Sequence, residues 1–358
     1  MHAFSATFAL VKAVAVSFEP LISIAGTPIG PGAPVYIIAE GGVAHFGDPG
    51  KAIALVDLAA EAGANAFKTQ AYTTNVLISP RLPEWRERLR TKEVSFDFIA
   101  RMKERCDQHG LTFLCTAHDR SVVPWLEELQ VPAYKVGSGE RGNLPFLREL
   151  AGKGKPMILS TGMYEEHHLL ETISALSGAG LRQLALLHCV TSYPTPMDQV
   201  NLRAMDRMRE LFPGPVGYSD HTSDHRAVLA AVARGANIIE KHITLDFDVP
   251  NAQDWKVSCG PDDLAAFVKE IRDVEVMLGR QDLKVQECER PALNWALKSL
   301  VATGPLPAGT LIEPRHLDAM RPGDGLPPAM LQSVLGRRLK RSLGAGDPVQ
   351  WDDLEAQP

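Results

Sequence analysis

Eight short apolar runs are spread over the first two-thirds of the chain, and each ends in polar residues capable of chemistry. The runs are VYIIAE, AFKTQ, TFLCTAH, AYKVGS, MILST, LALLHC, VGYSDH and NIIEKH. Continuous apolar runs are typical of parallel strands that are buried on both faces. Helical patterns separate them, and eight strand–helix repeats predict an α/β fold, a closed (β/α)8 TIM barrel. In such a barrel the active site lies at the carboxyl ends of the strands.

The segments between these strands carry apolar residues at helical spacing. The predicted helices span 50–62, 94–108, 122–129, 144–151, 169–176, 202–211, 226–234 and 262–278. Ahead of the barrel, residues 20–33 predict a short hairpin with Gly and Pro at its turns. We expect this hairpin to cap the bottom of the barrel.

The tail that follows the barrel is rich in Gly and Pro and contains an internal repeat. AGTLIEPRHL and AGDPVQWDDL align without gaps, with apolar residues at matching positions. Two copies of one turn-plus-strand unit predict a small pseudo-symmetric β module. The expected domains are an N-terminal extension and hairpin at 1–34, the barrel at 35–280, a linker at 281–297 and the β module at 298–358.

The composition excludes several classes of protein. The net charge of -6 gives no basic face for nucleic acid. No apolar stretch reaches the roughly 18 residues of a membrane span. The five cysteines contain no CxxC pair, which favours free thiols in a reducing, cytoplasmic compartment. Residues 4–18 are apolar but lack a basic flank and a clear cleavage site, so we expect a poorly ordered extension there, with a signal peptide as the alternative.

Two histidines are candidate metal ligands. His221 ends the seventh predicted strand and His242 ends the eighth, so neighbouring strands place them at the same height. Neutral imidazole suits divalent ions such as manganese and zinc. Two protein ligands would leave open coordination positions, as a Lewis-acid catalyst requires. The alternative is a hydrogen-bonded histidine pair without metal.

Two lysines form the second candidate feature. Lys68 and Lys135 both end strands, close to Gln70, Ser138 and Ser160. Positive charge with short hydrogen-bond donors suits a phosphate or phosphate-carboxylate anion. A salt bridge to a barrel carboxylate and a Schiff-base lysine remain alternatives.

Three glutamates complete the candidate set. Glu40 and Glu240 are candidate acid–base or hydroxyl-binding groups, and Glu140, just past the fourth strand, could serve either role. Their alternative role is ion pairing with Lys68, Lys135 or Lys241. We expect His188 to pack in the barrel wall.

An ordered set of motifs resembles the sialic acid synthase family, whose members make N-acetylneuraminate, legionaminate and pseudaminate. The motifs are AEGGVAHFG, FKTQ, YKVGSGE, ILSTGM, LLHCVTSYPTP, GYSDHT and EKHIT, with LVATGPLPAGTLI and MRPGDG in the tail. The tail resembles the family's antifreeze-like SAF domain. The resemblance implies condensation of phosphoenolpyruvate with an N-acylated amino sugar, in which the phosphate leaves by C–O cleavage.

The resemblance also implies roles for individual residues. His221 and His242 would bind a divalent metal, manganese first, with magnesium or cobalt as alternatives. The implied phosphoenolpyruvate ligands are Lys68, Gln70, Lys135, Ser138, Ser160 and Tyr193. Glu40 and Glu240 would act at the reacting centre. The sugar-binding candidates are Thr116, His118, Glu140, Asp254 and Arg321. Arg321 would reach the pocket of a partner subunit, because the family forms domain-swapped homodimers.

The chain departs from the family pattern on the side expected to face the sugar. Ala44 stands where the family usually has Asn, Ala117-His118 replaces Pro-Phe, and Thr191 replaces a frequent Asn. After the eighth strand the usual PGPD is one residue longer, ending at Asp254. These changes predict an altered sugar pocket. The remaining alternatives are a synthase for a phosphorylated sugar, a pyruvate aldolase and a non-catalytic sugar-binding paralogue.

Overall fold

A computed structural model describes residues 18–250 and 252–356 of the chain. The chain divides into two compact units, Met1–Gly279 and Arg280–Pro358. The predicted extension and possible signal sequence at residues 1–17 lie outside the described residues. Within the described part, no helix is both long and apolar enough to cross a membrane.

The first unit is a closed barrel of eight parallel strands, which confirms the predicted fold. Its strands are β3 (Tyr36–Gly42), β4 (Ala66–Ala71), β5 (Thr112–Ala117), β6 (Tyr134–Val136), β7 (Met157–Ser160), β8 (Leu184–Cys189), β9 (Val216–Asp220) and β10 (Ile238–Ile243). Each strand pairs with the next in sequence, and β10 pairs with β3 to close the ring. A two-residue strand, β11 (Ser258–Cys259), adds to β10 in parallel.

Helices surround the barrel between successive strands. They are α1 (Pro49–Glu61), α2 (Thr74–Leu77), α3 (Pro83–Arg90), α4 (Phe96–His109), α5 (Val123–Glu128), α6 (Leu144–Ala151), α7 (Glu166–Gly178), α8 (Ala204–Leu211), α9 (Arg226–Ala233) and α10 (Leu264–Leu278). The eight predicted helices are present with ends shifted by a few residues. The sequence pattern missed α2 and α3, and α3 contains no buried residue.

Local sequence explains where the longer helices begin and end. The Asp48 side chain caps α1 by accepting hydrogen bonds from the backbone N–H of Gly50 and Lys51. Ser95 caps α4 in the same way, and Gly110 ends it in the left-handed conformation. These caps hold the helices against the outside of the barrel, where a continuous apolar layer separates helices from strands.

The predicted hairpin closes the amino-terminal end of the barrel. Strands β1 (Ile22–Ile24) and β2 (Thr27–Ile29) pair in antiparallel register. Ile22, Ile24 and Ile29 are buried in one apolar cluster with residues at the amino-terminal ends of the barrel strands, such as Tyr36 and Ile238. Because this plug fills the bottom, the interior opens only towards the carboxyl ends of the strands.

The second unit shows the pseudo-symmetry that its repeat predicts. It contains α11 (Arg290–Ala296), α12 (Leu331–Val334) and the antiparallel strands β12 (Ser299–Ala302) and β13 (Leu317–Met320). The repeat positions Ile312 and Val349 are both buried in the core of this unit. Each is followed by a short 3-10 helix, at Pro314–His316 and Trp351–Asp353, with a capping box at its start.

Candidate active site

A cavity of about 310 Å³ opens at the carboxyl ends of the barrel strands. Thirteen of the fifteen residues predicted for the site line it, and they come from all eight strands and the loops that follow. They are Glu40, Lys68, Gln70, Thr116, His118, Lys135, Ser138, Ser160, Tyr193, His221, Glu240, His242 and Asp254.

The period of two along a strand selects which polar residues face the cavity. On β9 and β10, Ser219, Glu240 and His242 point inward, and their neighbours point outward. Asp220 and Lys241 form a buried ion pair of 2.5 Å outside the cavity. The alternative pairing of Glu40 or Glu240 with Lys241 is therefore wrong.

The two lysines and two glutamates that face the cavity form one buried charge cluster. The Nζ atom of Lys68 lies 3.1 Å from Oε2 of Glu40 and 3.5 Å from Oε2 of Glu240. The Nζ atom of Lys135 lies 3.3 Å from Oε1 of Glu240. All four side chains are at most 7% exposed. The salt-bridge alternative is thus present in the structure, inside the cavity that the anion-binding interpretation requires.

The cluster shifts the pKa values of its two carboxyl groups in opposite directions. Burial raises the pKa of Glu40, and repulsion from Glu240 adds to this effect although Lys68 opposes it. Burial also acts to raise the pKa of Glu240, but Lys135 and Lys68 outweigh it and lower that pKa. Two carboxyls whose pKa values diverge are suited to different roles, one as an acid and one as a fixed anion.

The two lysines also differ. Burial alone would lower the pKa of Lys68, but Glu240 and Glu40 together raise it. Burial lowers the pKa of Lys135, and its one carboxylate, Glu240, does not compensate for this. Lys68 is therefore the more firmly charged of the two.

Small polar groups extend the positive side of the cavity beyond Lys135. Lys135 donates a hydrogen bond of 2.7 Å to the hydroxyl of Ser160. The backbone N–H of Gly162 donates to the hydroxyl of Ser138 at 2.9 Å. A Cβ on Gly162 would lie 2.3 Å from Oγ1 of Thr191, so only glycine permits this close approach.

A chain of side chains links the sugar-side candidate His118 to Glu40. The Nε2 atom of His118 lies 3.1 Å from Oε1 of Gln70, and Nε2 of Gln70 donates to Oε1 of Glu40 at 2.6 Å. Burial, followed by the charges of Lys68 and Lys135, lowers the pKa of His118 to about 4. The neutral imidazole then donates through Nε2, and this fixes the amide orientation of Gln70.

The histidine pair fits the predicted metal. The ring centroids of His221 and His242 lie 5.4 Å apart, and the Tyr193 ring lies 4.0 Å from that of His221. The Nδ1 atom of His221 is 2.8 Å from the carbonyl oxygen of Val190, which assigns the proton to Nδ1 and leaves the Nε2 lone pair for a metal. Burial lowers the pKa of His242, which favours the neutral ring that a metal binds. Among the described residues, no third His, Cys, Asp or Glu completes a set with this pair in which all the ligand atoms lie within 4.8 Å of one another, so the remaining positions would go to water or substrate.

The other two predicted residues, Glu140 and Arg321, make contacts within their own units. The Glu140 carboxylate accepts a hydrogen bond of 2.7 Å from the side chain of Asn143 and does not line the cavity. Arg321 belongs to the second unit, where its guanidinium carbon lies 5.9 Å from the ring centroid of Trp295. Its contact with a partner subunit stays a prediction. His188 packs outside the cavity, with Nε2 2.7 Å from the carbonyl oxygen of Val200.

Sequence reasoning assigned no role to Cys189 or Ser219, although both line the cavity. Ser219 donates a hydrogen bond of 3.0 Å to Oε1 of Glu240, and Sγ of Cys189 lies 3.7 Å from Nδ1 of His221. Each stands two residues from another residue of the cavity. The alternation of inward-facing and outward-facing side chains along a strand could therefore have identified them.

Comparison with known proteins agrees with this architecture. A model described as the NeuB family matches residues 55–283, and one described as the SAF domain matches residues 298–355. The chain is 34% identical over 346 residues to N,N'-diacetyllegionaminic acid synthase of Legionella pneumophila, which covers 92% of this chain and 97% of that protein. It is 31% identical to N-acetylneuraminate-9-phosphate synthase of Mus musculus, over 90% of this chain and 93% of that protein.

A solved structure gives the same result. The N-acetylneuraminic acid (sialic acid) synthetase of Leptospira borgpetersenii, determined in complex with citrate, superposes with a TM-score of 0.71 at 33% identity. The match covers 76% of this chain and 95% of that chain. The predicted resemblance is confirmed. The chain belongs to the NeuB family, beside proteins named as synthases of legionaminic and N-acetylneuraminic acids, and it ends in a SAF domain.

Proposed function

We propose that this protein condenses phosphoenolpyruvate with an N-acylated amino-hexose, with water adding at carbon-2 of phosphoenolpyruvate, to give a nonulosonic acid and inorganic phosphate. The observation that carries the proposal is the cavity itself. It places two buried lysines, two carboxyls with divergent pKa values and two imidazoles around one space of about 310 Å³. The names of the family relatives support the same class of reaction.

Phosphoenolpyruvate would occupy the positive side of the cavity. Lys135 has a lowered pKa and a single carboxylate partner, so an incoming anion gains the most by contacting it. The hydroxyls of Ser138 and Ser160 lie beside it, and Tyr193 and Gln70 complete the proposed set. Fixed donors of this kind orient the enol phosphate before the reaction and exclude water from its phosphate.

The two carboxyls would divide the proton chemistry. Glu240 stays ionised and holds both lysines in position, with Ser219 donating to it. Glu40, whose pKa is raised by burial, holds a proton more readily than an ordinary carboxyl and would exchange it with a group at the reacting centre. Its Oε2 atom is buried and has the ammonium of Lys68 3.1 Å away as its charged neighbour, so a substrate hydroxyl or water would meet both groups together.

His221 and His242 would hold the divalent metal, manganese in the first instance. When bound, the metal polarises the sugar aldehyde as a Lewis acid, so that carbon-3 of phosphoenolpyruvate can attack it. The hydrogen bond from His221 to the carbonyl of Val190 keeps this ring in the tautomer that a metal needs. The contact with Tyr193 limits rotation of the ring.

The acceptor sugar would lie on the side of Thr116, His118 and Asp254. One observation favours a phosphorylated acceptor as a second candidate. A side pocket of about 160 Å³ shares Asp254 with the cavity and is lined by Arg88 and Lys92. Ala44 borders this pocket, where the family usually has the longer Asn. Two cations beside the sugar site suit a phosphate on the acceptor.

The test is phosphate release from phosphoenolpyruvate with Mn²⁺ and a panel of N-acylated hexoses, with and without a 6-phosphate. We expect release of phosphate and formation of a nine-carbon keto acid with at least one acceptor. His221→Ala should lower turnover about 100-fold or more. Absence of release with every acceptor and no effect of metal would refute the proposal. Trapping of pyruvate on lysine by borohydride would instead indicate an imine aldolase.

The phosphorylated-acceptor candidate has its own control. Lys92→Met should raise KM for a phosphorylated acceptor about tenfold and leave KM for its unphosphorylated form unchanged. Equal effects on both forms would exclude the side pocket as a phosphate site.

A further inference from the structure

A second group of potential metal ligands lies outside the cavity. It joins the loop after β9 to the end of β11 and to the residue that precedes α10. The Nε2 atom of His225 lies 3.7 Å from Sγ of Cys259 and 3.7 Å from Oδ2 of Asp263. The three atoms lie within 4.8 Å of one another. Imidazole, thiolate and carboxylate are the three ligand types that zinc takes in proteins.

The side chains of His225 and Asp263 are each held by one atom and offer another. The Nδ1 atom of His225 lies 2.9 Å from Oε2 of Glu270, which assigns the proton to Nδ1 and leaves the Nε2 lone pair directed at the group. Oδ1 of Asp263 accepts a hydrogen bond of 2.6 Å from the backbone N–H of Gly260, so its Oδ2 remains. A carboxylate behind a ligating imidazole is the usual outer partner in zinc sites.

The measured distances between the ligand atoms are also close to those of a tetrahedral zinc site. Zinc binds sulfur at about 2.3 Å and nitrogen or oxygen at about 2.0–2.2 Å, so tetrahedral ligand atoms lie roughly 3.3–3.6 Å apart. The two measured distances of 3.7 Å are slightly longer. Oδ2 of Asp263 lies 3.7 Å from Nε2 of His225, which is too long for a direct hydrogen bond. A cation between the two atoms would bind both.

A catalytic cysteine is the competing interpretation, because Glu270, His225 and Cys259 follow one another as a carboxylate, an imidazole and a thiol. Cys259 is 1% exposed, and burial raises the pKa of its thiol to about 12. A nucleophile needs both a thiolate and access for a substrate. This thiol has neither, and the interpretation gives no role to Asp263.

We propose that His225, Cys259 and Asp263 bind one Zn²⁺, with water in the fourth position, at a site separate from the histidine pair of the cavity. On binding, Cys259 gives up its thiol proton to solvent. The ion anchors β11, whose Ser258 pairs with His242 and donates a hydrogen bond of 2.7 Å to the carbonyl oxygen of Asp254. The site thus positions the segment that carries Asp254 at the mouth of the cavity. This inference does not depend on the proposed reaction.

The experiment uses the full chain with His221 and His242 both replaced by Ala, so that the other candidate site is removed. The protein is stripped with a chelator and titrated with Co²⁺, a spectroscopic substitute for zinc. We expect one equivalent of cobalt to bind with a thiolate-to-cobalt charge-transfer band in the near ultraviolet, and Zn²⁺ to displace it. Cys259→Ser should abolish the band. The matched control Cys288→Ser removes an exposed thiol of the second unit and should keep it.

Two further variants keep the proposal testable if Cys259→Ser fails to fold. Asp263 and Glu270 have side chains that are 49% and 46% exposed, so neither replacement should prevent folding. Glu270→Ala should weaken Zn²⁺ binding about 10–100-fold, and Asp263→Asn should weaken it at least as much. Cobalt bound without a thiolate band, no cobalt bound, or zinc affinity unchanged in both variants would each overturn the proposal.

Discussion

Replacing Lys68 by Met should destabilise the barrel more than replacing Lys135 by Met, although both lysines are buried in one cavity. Lys68 contacts two carboxylates, Glu40 at 3.1 Å and Glu240 at 3.5 Å. Lys135 contacts only Glu240, at 3.3 Å, and donates to a serine hydroxyl. Each of these ionic contacts corresponds to about 5 kcal/mol of Coulomb energy at an effective dielectric constant of 20, before the cost of desolvation.

The net effects are smaller, because burying each ion carries a desolvation penalty. Removing one partner of a buried pair typically lowers the free energy of unfolding by about 3–5 kcal/mol, and we expect Lys68→Met to fall in this range. Lys135→Met should lower the free energy of unfolding by about 1–3 kcal/mol, because Glu240 keeps its ion pair with Lys68 and its hydrogen bond from Ser219. For a barrel of this size, the melting temperature should fall by about 6–20 °C for Lys68→Met.

Thermal unfolding of both variants, followed by circular dichroism at pH 7, measures this difference. The double variant Lys68→Met/Glu40→Gln should recover about 1–3 kcal/mol relative to the sum of the single changes. The loss in free energy of unfolding caused by Lys68→Met should also become smaller as the pH falls. Its folded form binds a proton on Glu40 more readily than the unfolded chain does, so acid favours the folded form. Both lysine variants within about 1 kcal/mol of the native chain, with no coupling to Glu40, would refute this account of the cluster.

Three further predictions test other parts of the molecule. Burial lowers the pKa of His45 to about 4, so the unfolded chain binds a proton on this residue at a higher pH than the folded chain does. The free energy of unfolding should therefore fall by up to about 3 kcal/mol as the pH falls from 6.5 to 4. In urea titrations, His45→Phe should flatten this pH dependence. Gly162→Ala should displace Ser138, because the hydroxyl of Ser138 would lie 2.7 Å from the added Cβ. The KM for phosphoenolpyruvate should then rise about tenfold. An unchanged KM would mean that the anion binds elsewhere. Ile312 and Val349 occupy equivalent buried positions of the repeat. In denaturant titrations, Ile312→Ala and Val349→Ala should each lower the free energy of unfolding of the second unit by about 2–5 kcal/mol. A near-zero effect of either change would show that the two positions are not equivalent.

The barrel and most of its cavity could be predicted because both follow from the period of two along a strand. Once the register of β9 and β10 is known, His221, Glu240 and His242 must share the inner face, and Asp220 must turn outward. The sequence could not give the partner of each charge. Lys68 reaches both glutamates because the closed ring places β4 next to β3 and within reach of β10, and closure is a property of the whole barrel.

Features without an apolar pattern stayed hidden. Helix α3 carries no buried residue, so the periodicity that revealed the other helices is absent from it. Glu140 follows β6 closely enough to suggest a place in the cavity, but the 3-10 turn after the strand directs its carboxylate to Asn143. His225 and Cys259 are 34 positions apart, and only the packing of β11 against β10 brings their segments together.

The charge cluster also indicates how substrate binding would change the cavity. Lys68 lies beside two carboxyls, Glu40 and Glu240, whereas Lys135 lies beside Glu240 alone. Burial lowers the pKa of Lys135, and an arriving enol phosphate would raise that pKa by supplying a second anion. We therefore expect anion binding to draw Lys135 away from Glu240 and to leave Lys68 with both glutamates. On this view Lys135 responds to the substrate, while Lys68 stays between the two carboxyls.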